Sequence, residues 1–97
     1  MEIRELQKVI HDNAINHGWW ETERPVPEIL CLIHSEVSEA LEAYRNHDTE
    51  NFAEELADIA IRLLDASEGY GIDLESEILK KHEINKTRSY KHGGKKC

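Results

Sequence analysis

Two carboxylates stand three residues apart in the stretch HSEVSEALEAYR, and neither has an obvious counter-ion. Glu36 and Glu39 lie among small and apolar residues, with no lysine or arginine within one helical turn of either. The segment EELADIAIR repeats this arrangement with Glu55 and Asp58. Because like charges at this spacing slightly destabilise an isolated helix, the two pairs suggest that their counter-ion is not a side chain. Glu42 points away from this side of the helix and is interpreted as an ordinary surface acid.

The elements that must position these residues are helices, because no segment of the chain alternates with a period of two. Apolar residues at helical spacing predict four helices, over residues 2–17, 27–46, 49–68 and 74–86. Asp48 or Thr49 can cap the third helix, and Asp73 can cap the fourth. The chain is therefore predicted to be a single all-α domain, residues 1–97, with a basic tail over about residues 86–97.

The second and third helices are predicted to form an antiparallel hairpin that turns near residue 47. Two residues, one from each helix, then lie at the same level when their numbers add up to 94. Glu36 therefore faces Asp58, and Glu39 faces Glu55. At 1.5 Å per residue both pairs lie roughly 12–17 Å from the turn. Four carboxylates this close repel one another strongly unless a cation lies between them. The hairpin therefore predicts a site for one or more divalent cations.

The ligand types indicate which metal suits this site. All four candidate ligands are hard oxygen donors, which favour Mg²⁺ or Mn²⁺ over zinc. Di-iron bundles use a Glu-x-x-His motif, and none of the six histidines follows an acid by three residues. Magnesium held by carboxylates keeps positions for water and for substrate phosphates. An acidic hairpin followed by a basic segment therefore favours a nucleoside polyphosphate as the ligand.

The net charge of −8 is divided unevenly along the chain. Residues 80–97 hold seven of the twelve lysines and arginines and only one acid, so the rest of the chain is strongly acidic. An acidic body repels the phosphate backbone of nucleic acids, and no nucleic-acid partner is expected. The basic tail either lies solvated over this acidic body or acts as a flap that carries positive charge to a bound anion.

Targeting signals are missing from the sequence. The N-terminal stretch MEIRELQKVI lacks the apolar run of a signal peptide, and the longest apolar run, ILCLI, is too short to span a bilayer. The two cysteines, Cys31 and Cys97, suggest no disulfide framework. A cytoplasmic protein without a membrane partner is therefore predicted, with Cys31 as a core residue.

The third helix is apolar around half of its circumference or more. Its apolar positions are Phe52, Ala53, Leu56, Ala57, Ile59, Ala60, Leu63, Leu64 and Ala66, and Ile61 lies beyond even that arc. A helix of this kind is normally buried on more than one side. Since a chain of 97 residues has few helices to cover it, a homo-oligomer is expected.

These motifs resemble those of a known family. SEVSEALEAYR followed by EELADIAIRLLD is similar to the E-x-x-E, spacer, E-x-x-D pattern of the MazG-like nucleoside triphosphate pyrophosphohydrolases. The end of the chain, KHEINKTRSYKHGGKK, looks like that of short single-domain members, which have K-x-x-x-N-x-x-R before His-Gly-Gly-Lys. The resemblance covers about residues 26–96. It implies Mg²⁺-dependent hydrolysis of (deoxy)nucleoside triphosphates to monophosphate and pyrophosphate, for house-cleaning or control of nucleotide pools, by all-α subunits assembled as dimers or tetramers.

The resemblance also implies roles for individual residues. The Mg²⁺ ligands and catalytic residues are expected to be Glu36, Glu39, Glu55 and Asp58. By the same resemblance Lys81, Asn85 and Arg88 are expected to meet substrate phosphates or sugar. The positive charge of the tail adds Lys91 to these residues. Some relatives carry an extra Glu immediately before the first motif, where this chain has Ser35, so the identity of the general base stays open. Glu39 is one candidate to orient or deprotonate the attacking water.

Three further residues have two interpretations each. Arg62 either reaches the same site or forms an i,i+4 salt bridge with Asp58. Trp19 and Trp20 either stack on a nucleotide base, as aromatic faces do, or close off a small core.

Two other functions are compatible with the sequence. The chain could be a non-catalytic helical module whose apolar third helix binds a partner, in which case it should show neither turnover nor divalent-cation binding. It could also be a pyrophosphohydrolase of another phosphorylated nucleotide, such as a phosphoribosyl-nucleotide or a diphosphate. The preferred base and sugar are left open.

Overall fold

The computed structural model describes residues 1–88, which form four α-helices and contain no strand. The helices are α1 (Ile3–Asn16), α2 (Val26–Arg45), α3 (Thr49–Gly69) and α4 (Leu74–Lys86). The all-α prediction is confirmed, and each predicted helix boundary lies within one residue of the observed one. The part of the predicted basic tail beyond residue 88, including Lys91, lies outside the described residues.

Local side-chain chemistry sets the ends of these helices. The Asp48 carboxylate accepts a hydrogen bond from the backbone N–H of Asn51 at 3.1 Å, and Asp73 caps α4 in the same way. Such caps satisfy backbone donors that have no partner within the helix. His47 adopts a left-handed conformation, with φ of 58°, in the short turn between α2 and α3. The turn reverses the chain, so α2 and α3 run antiparallel as predicted.

Packing is uneven among the four helices. The α2–α3 hairpin forms the most extensive contact, and α1 packs against α3. α4 contacts α1 and α3 only lightly and has no buried residue. The buried apolar residues are few: Ile29, Ala40, Ala43, Leu64 and Ala66. None of the four helices is both long enough and apolar enough to cross a bilayer.

α2 carries two lines of residues with the same spacing and opposite burial. The buried line contains Ile29, Glu36, Ala40 and Ala43, and it faces α3. The residues one position further on, Leu30, Val37, Leu41 and Tyr44, remain about half exposed or more. Cys31 is also exposed, because α2 buries only the face that meets α3. The prediction that Cys31 is a core residue is therefore wrong.

A buried glutamine joins α1 to the start of α4. Gln7 is fully buried, and its Nε2 donates to Glu68 Oε1 at 2.8 Å and to the Ile72 carbonyl at 2.7 Å. Its Oε1 accepts from the Leu74 backbone N–H at 3.3 Å. Arg4 also pairs with Glu68 and, by this hydrogen bond, holds the pKa of the Glu68 carboxyl below its usual value. This network was not predicted, although a polar residue within the apolar stripe of α1 was a signal for it.

Candidate metal centre

Three carboxylates converge where α2 and α3 lie side by side. Glu36, Glu39 and Glu55 each offer one oxygen atom, and these three atoms lie within 4.8 Å of one another. Glu36 is buried, Glu55 is partly buried and Glu39 is exposed. The two residues from α2 are one turn apart, and the antiparallel register brings Glu55 to their level. The structure therefore brings together three of the four predicted ligands.

The Glu55 carboxyl has an unusual environment. Its Oε2 is buried and has no hydrogen-bond partner among residues 1–88. Burial, reinforced by the neighbouring carboxyls of Glu39 and Glu36, raises the pKa of Glu55 to about 7. A buried polar atom without a partner is costly for the fold. An oxygen of this kind, beside two further carboxylates, fits a site built to hold a cation.

The fourth predicted ligand lies at the edge of this group. Asp58 is exposed and is not one of the three residues whose oxygens converge. It lines the same open cavity of about 750 Å³ as Glu36, and its charge contributes to the raised pKa of Glu55. Asp58 therefore lies beside the three converging carboxylates, on the side that faces this cavity.

Glu42, the next acid along α2, lies near this group without belonging to it. It lines a smaller open cavity of about 250 Å³ together with Glu39 and Glu55. Glu42 is exposed and is not one of the three residues whose oxygens converge, as expected of a surface acid.

Glu36 has a side-chain counter-ion, contrary to the prediction. Arg62 Nε donates to Glu36 Oε1 at 2.8 Å, and this hydrogen bond lowers the pKa of the Glu36 carboxyl. The alternative salt bridge between Arg62 and Asp58 is not formed among residues 1–88. Helical side chains lean toward the N-terminal end of their helix. Arg62, one turn beyond Asp58, therefore reaches back to the level of Glu36 on the neighbouring helix.

Trp19 forms part of the cavity wall beside this ion pair. The Arg62 guanidinium carbon lies 5.2 Å from the centroid of the Trp19 ring, and that of Arg24 lies 4.7 Å from it. Trp19 lines the large cavity together with Glu36 and Asp58. An aromatic face is thus available next to the carboxylates, and a base contact by Trp19 stays a prediction.

Trp20 is packed into the junction of α1 with α3. Its indole N–H donates to Asp65 at 3.0 Å, and the same carboxylate oxygen lies 2.8 Å from His11 Nδ1. The ring packs so closely against Gly69 that a Cβ there would lie 2.3 Å from it. Trp20 therefore serves the packing of this junction, and its predicted base contact has no support in these contacts.

The residues predicted to bind phosphates or sugar lie on α4 and just after it. Lys81 and Asn85 line an open groove that contains none of the clustered carboxylates. Within residues 1–88 no hydrogen bond or ion pair joins Lys81, Asn85 or Arg88 to the acidic cluster. Lys91 is outside the described part of the chain. A single chain in this arrangement does not bring the α4 residues to the centre.

A family model described as phosphoribosyl-ATP pyrophosphohydrolase matches residues 3–85. The matched range includes both acidic motifs together with Lys81 and Asn85. No curated protein and no solved structure matches the chain.

Proposed function

Because the chain belongs to the phosphoribosyl-ATP pyrophosphohydrolase family, we propose that it hydrolyses a nucleoside triphosphate between the α and β phosphates. The family is all-α and related to the MazG-like enzymes, and its members hydrolyse acid anhydrides in phosphorylated nucleotides. The observation that carries the proposal is the convergence of Glu36, Glu39 and Glu55, of which Glu55 has a buried oxygen without a partner among residues 1–88.

The residues present suit Mg²⁺, with Mn²⁺ as a substitute. All donors are carboxylate oxygens, which these hard cations prefer, and the family in general depends on divalent metal ions. The ligands would be Glu36, Glu39 and Glu55, with Asp58 from the cavity side. A bound Mg²⁺ supplies charge neutralisation at the phosphate oxygens and favours attack by water.

Activation of the water and binding of the base are assigned to residues of the chain itself. Glu39, which is the exposed member of the cluster, orients the attacking water and accepts its proton. The water oxygen bonds to the α-phosphorus, the bond from that phosphorus to the bridging oxygen breaks, and pyrophosphate leaves. Trp19 stacks on the base within the large cavity, whose volume of about 750 Å³ suits a nucleotide-sized ligand.

Substrate phosphates or sugar are bound by Lys81 and Asn85 on α4 and by Arg88 and Lys91, which follow it in the sequence. α4 packs lightly on α1 and α3, so these residues reach the phosphates through a shift of α4 or from a second copy of the chain. Basic groups at this place stabilise the leaving pyrophosphate.

The protein is proposed to be a homo-oligomer, either a dimer or a tetramer. The exposed line on α2 and the exposed residues Leu56, Ile61 and Leu63 on α3 leave much apolar surface for a second copy to cover. Sedimentation at micromolar concentration should give at least a dimer, and a stable monomer would contradict this. Leu41→Lys should shift the protein toward monomer, whereas Ser38→Lys, an exposed α2 position outside the line, should not.

The decisive experiment identifies the products. Nucleoside triphosphates, their deoxy and modified forms, and phosphoribosyl-ATP are each incubated with the protein and Mg²⁺, and both pyrophosphate and phosphate are measured. Pyrophosphate and a monophosphate should appear only with the divalent cation present. Phosphate as the first product would indicate another class of hydrolase. Absence of both turnover and cation binding would leave the non-catalytic helical module as the function.

Phosphoribosyl-ATP is the second candidate substrate, and the family match favours it. It carries the same triphosphate, so the bond cleaved and the metal centre would be the same. Comparing kcat/KM for phosphoribosyl-ATP with that for ATP separates the two. A preference for modified nucleotides would support house-cleaning, and one for common nucleotides would support pool control. We place either role in the cytoplasm.

A further inference from the structure

The positive charge near the acidic centre is distributed unevenly. Arg62 neutralises Glu36 at 2.8 Å, whereas the buried Glu55 Oε2 has no partner among residues 1–88. No lysine or arginine forms an ion pair with Glu39 or Glu55 within the same range. One guanidinium therefore serves as the side-chain counter-ion of a group of at least three carboxylates.

Arg62 uses only a small part of its hydrogen-bonding capacity in this pair. A guanidinium has five N–H donors, and of these only Nε donates to a protein acceptor in the described part of the chain. The side chain is partly exposed and lines the large cavity together with Glu36 and Asp58. The remaining donors are available to an anion that enters the cavity.

We propose that Arg62 is the counter-ion of the metal-free centre, that a divalent cation competes with it for Glu36, and that the released guanidinium then binds the substrate's phosphates. This inference rests on the proposed function of the centre. Two cations that share one carboxylate repel each other, so binding of the metal weakens the bond from Arg62 to Glu36. Planar guanidinium groups bind phosphate oxygens well, often through two donors at once.

The ring of Trp19 can continue to hold the Arg62 guanidinium at the cavity wall when its bond to Glu36 is lost. Arg62 already lies 5.2 Å from the ring centroid, within the range of a cation–π contact. Arg24, on the same ring, is held by the Trp19 carbonyl at 3.1 Å and by Glu28 at 3.3 Å. Among residues 1–88 Arg62 has the Glu36 carboxylate as its one hydrogen-bond partner, so loss of that bond would leave its guanidinium free to move, whereas Arg24 has two.

The first test measures binding of Mn²⁺ alone, by calorimetry and without nucleotide. Arg62→Ala and Arg62→Gln should bind Mn²⁺ about five- to tenfold more tightly than the unchanged protein, and Arg62→Lys should bind it about equally. Arg45→Ala removes the same charge from the end of α2 and should have little effect. Unchanged or weaker binding in both neutral variants would overturn the inference, because Arg62 would then support Glu36 rather than compete for it.

A second test follows Trp19 directly. Adding Mg²⁺ should change the tryptophan fluorescence of the unchanged protein, and the change should disappear in Trp19→Phe and in Arg62→Gln. A full response in Arg62→Gln would show that the metal does not act through this arginine.

A third test measures the Kd of a non-hydrolysable α,β-methylene nucleotide at saturating Mg²⁺. Arg62→Gln should weaken this binding about tenfold, so one substitution strengthens metal binding and weakens nucleotide binding. Unchanged nucleotide affinity would overturn the phosphate role. If the unchanged protein binds no Mn²⁺, the metal centre and this inference both fail. If it binds Mn²⁺ but hydrolyses no nucleotide, the proposed function fails, while the Mn²⁺ affinities still decide the role of Arg62.

Discussion

Gln7 and Glu55 are polar side chains with buried atoms in the same small helical domain, but their surroundings differ. Gln7 uses both its amide nitrogen and its carbonyl oxygen in hydrogen bonds, and its partner Glu68 is also paired with Arg4. Glu55 has a buried oxygen that finds no partner in the described part of the chain, and two carboxyls as neighbours. A satisfied network fixes how helices meet. A cluster of negatively charged side chains that includes a buried oxygen without a hydrogen-bond partner among residues 1–88 indicates that the site binds a ligand from outside the chain.

The largest effect should follow from changing the acidic cluster. Glu36→Gln, Glu39→Gln, Glu55→Gln and Asp58→Asn should each reduce Mg²⁺-dependent turnover about a hundredfold or more, because each removes a charged donor that the metal needs. Circular dichroism should show an unchanged helical fold, and melting of the metal-free Glu55→Gln protein should be unchanged or higher. Glu54→Gln, at the exposed neighbouring position on α3, is the matched control. Full activity in Glu55→Gln would remove this residue from the centre.

Breaking the satisfied network should instead affect stability. Gln7→Leu should lower the free energy of unfolding by about 2–4 kcal/mol, because the Ile72 carbonyl and Glu68 lose a buried donor. Urea unfolding measures this loss, with Lys8→Leu at the exposed neighbouring position as control. A loss below about 1 kcal/mol would mean that water replaces the amide. Mn²⁺ affinity of the folded protein should stay the same, which separates the two clusters.

The residues predicted to bind phosphates, on α4 and after it, should affect catalysis more than folding. Arg88→Ala, or truncation after Ile84, should lower kcat/KM tenfold or more, which corresponds to about 1.4 kcal/mol or greater. The effect should be larger for a triphosphate than for a diphosphate, because fewer phosphates leave fewer contacts to lose. Melting of the metal-free protein should change little, since α4 has no buried residue. If truncation unfolds the protein or leaves the kinetics unchanged, the segment is a structural clasp. Lys80→Ala, on the exposed side of α4, is the control.

The smallest effect concerns the pH dependence of stability at the Gln7 network. The hydrogen bond from Arg4 lowers the pKa of Glu68 from its ordinary 4.5. The ionised carboxylate therefore contributes stability above pH 4.5, and this contribution is lost as the pH falls through the lowered pKa of the folded state. Arg4→Gln should flatten this part of the curve of unfolding free energy against pH. Parallel curves for the two proteins would show that the ion pair contributes nothing.

The sequence predicted those features that depend on neighbouring residues along the chain. Helix boundaries followed from apolar periodicity and capping aspartates, and the antiparallel register correctly placed Glu39 and Glu36 near Glu55. The sequence allowed Arg62 to reach this site, but it did not identify Glu36 as its partner, because that bond depends on side-chain direction across two helices, which linear spacing does not describe. The same holds for Gln7, whose partners lie more than sixty residues away. Cys31 was misplaced because its burial depends on which faces of α2 another helix covers.

The short turn at His47 has a consequence for the order of folding. Only residues 46–48 separate α2 from α3. The two helices that carry the four acidic residues can therefore pair by closing a very short loop. Contacts between residues near in sequence form early, because little chain entropy is lost in closing the loop. The hairpin is therefore expected to form before α1 docks on it, and the carboxylates meet while the rest of the chain is still unfolded. A divalent cation present at that stage should increase the refolding rate, and not only decrease the unfolding rate.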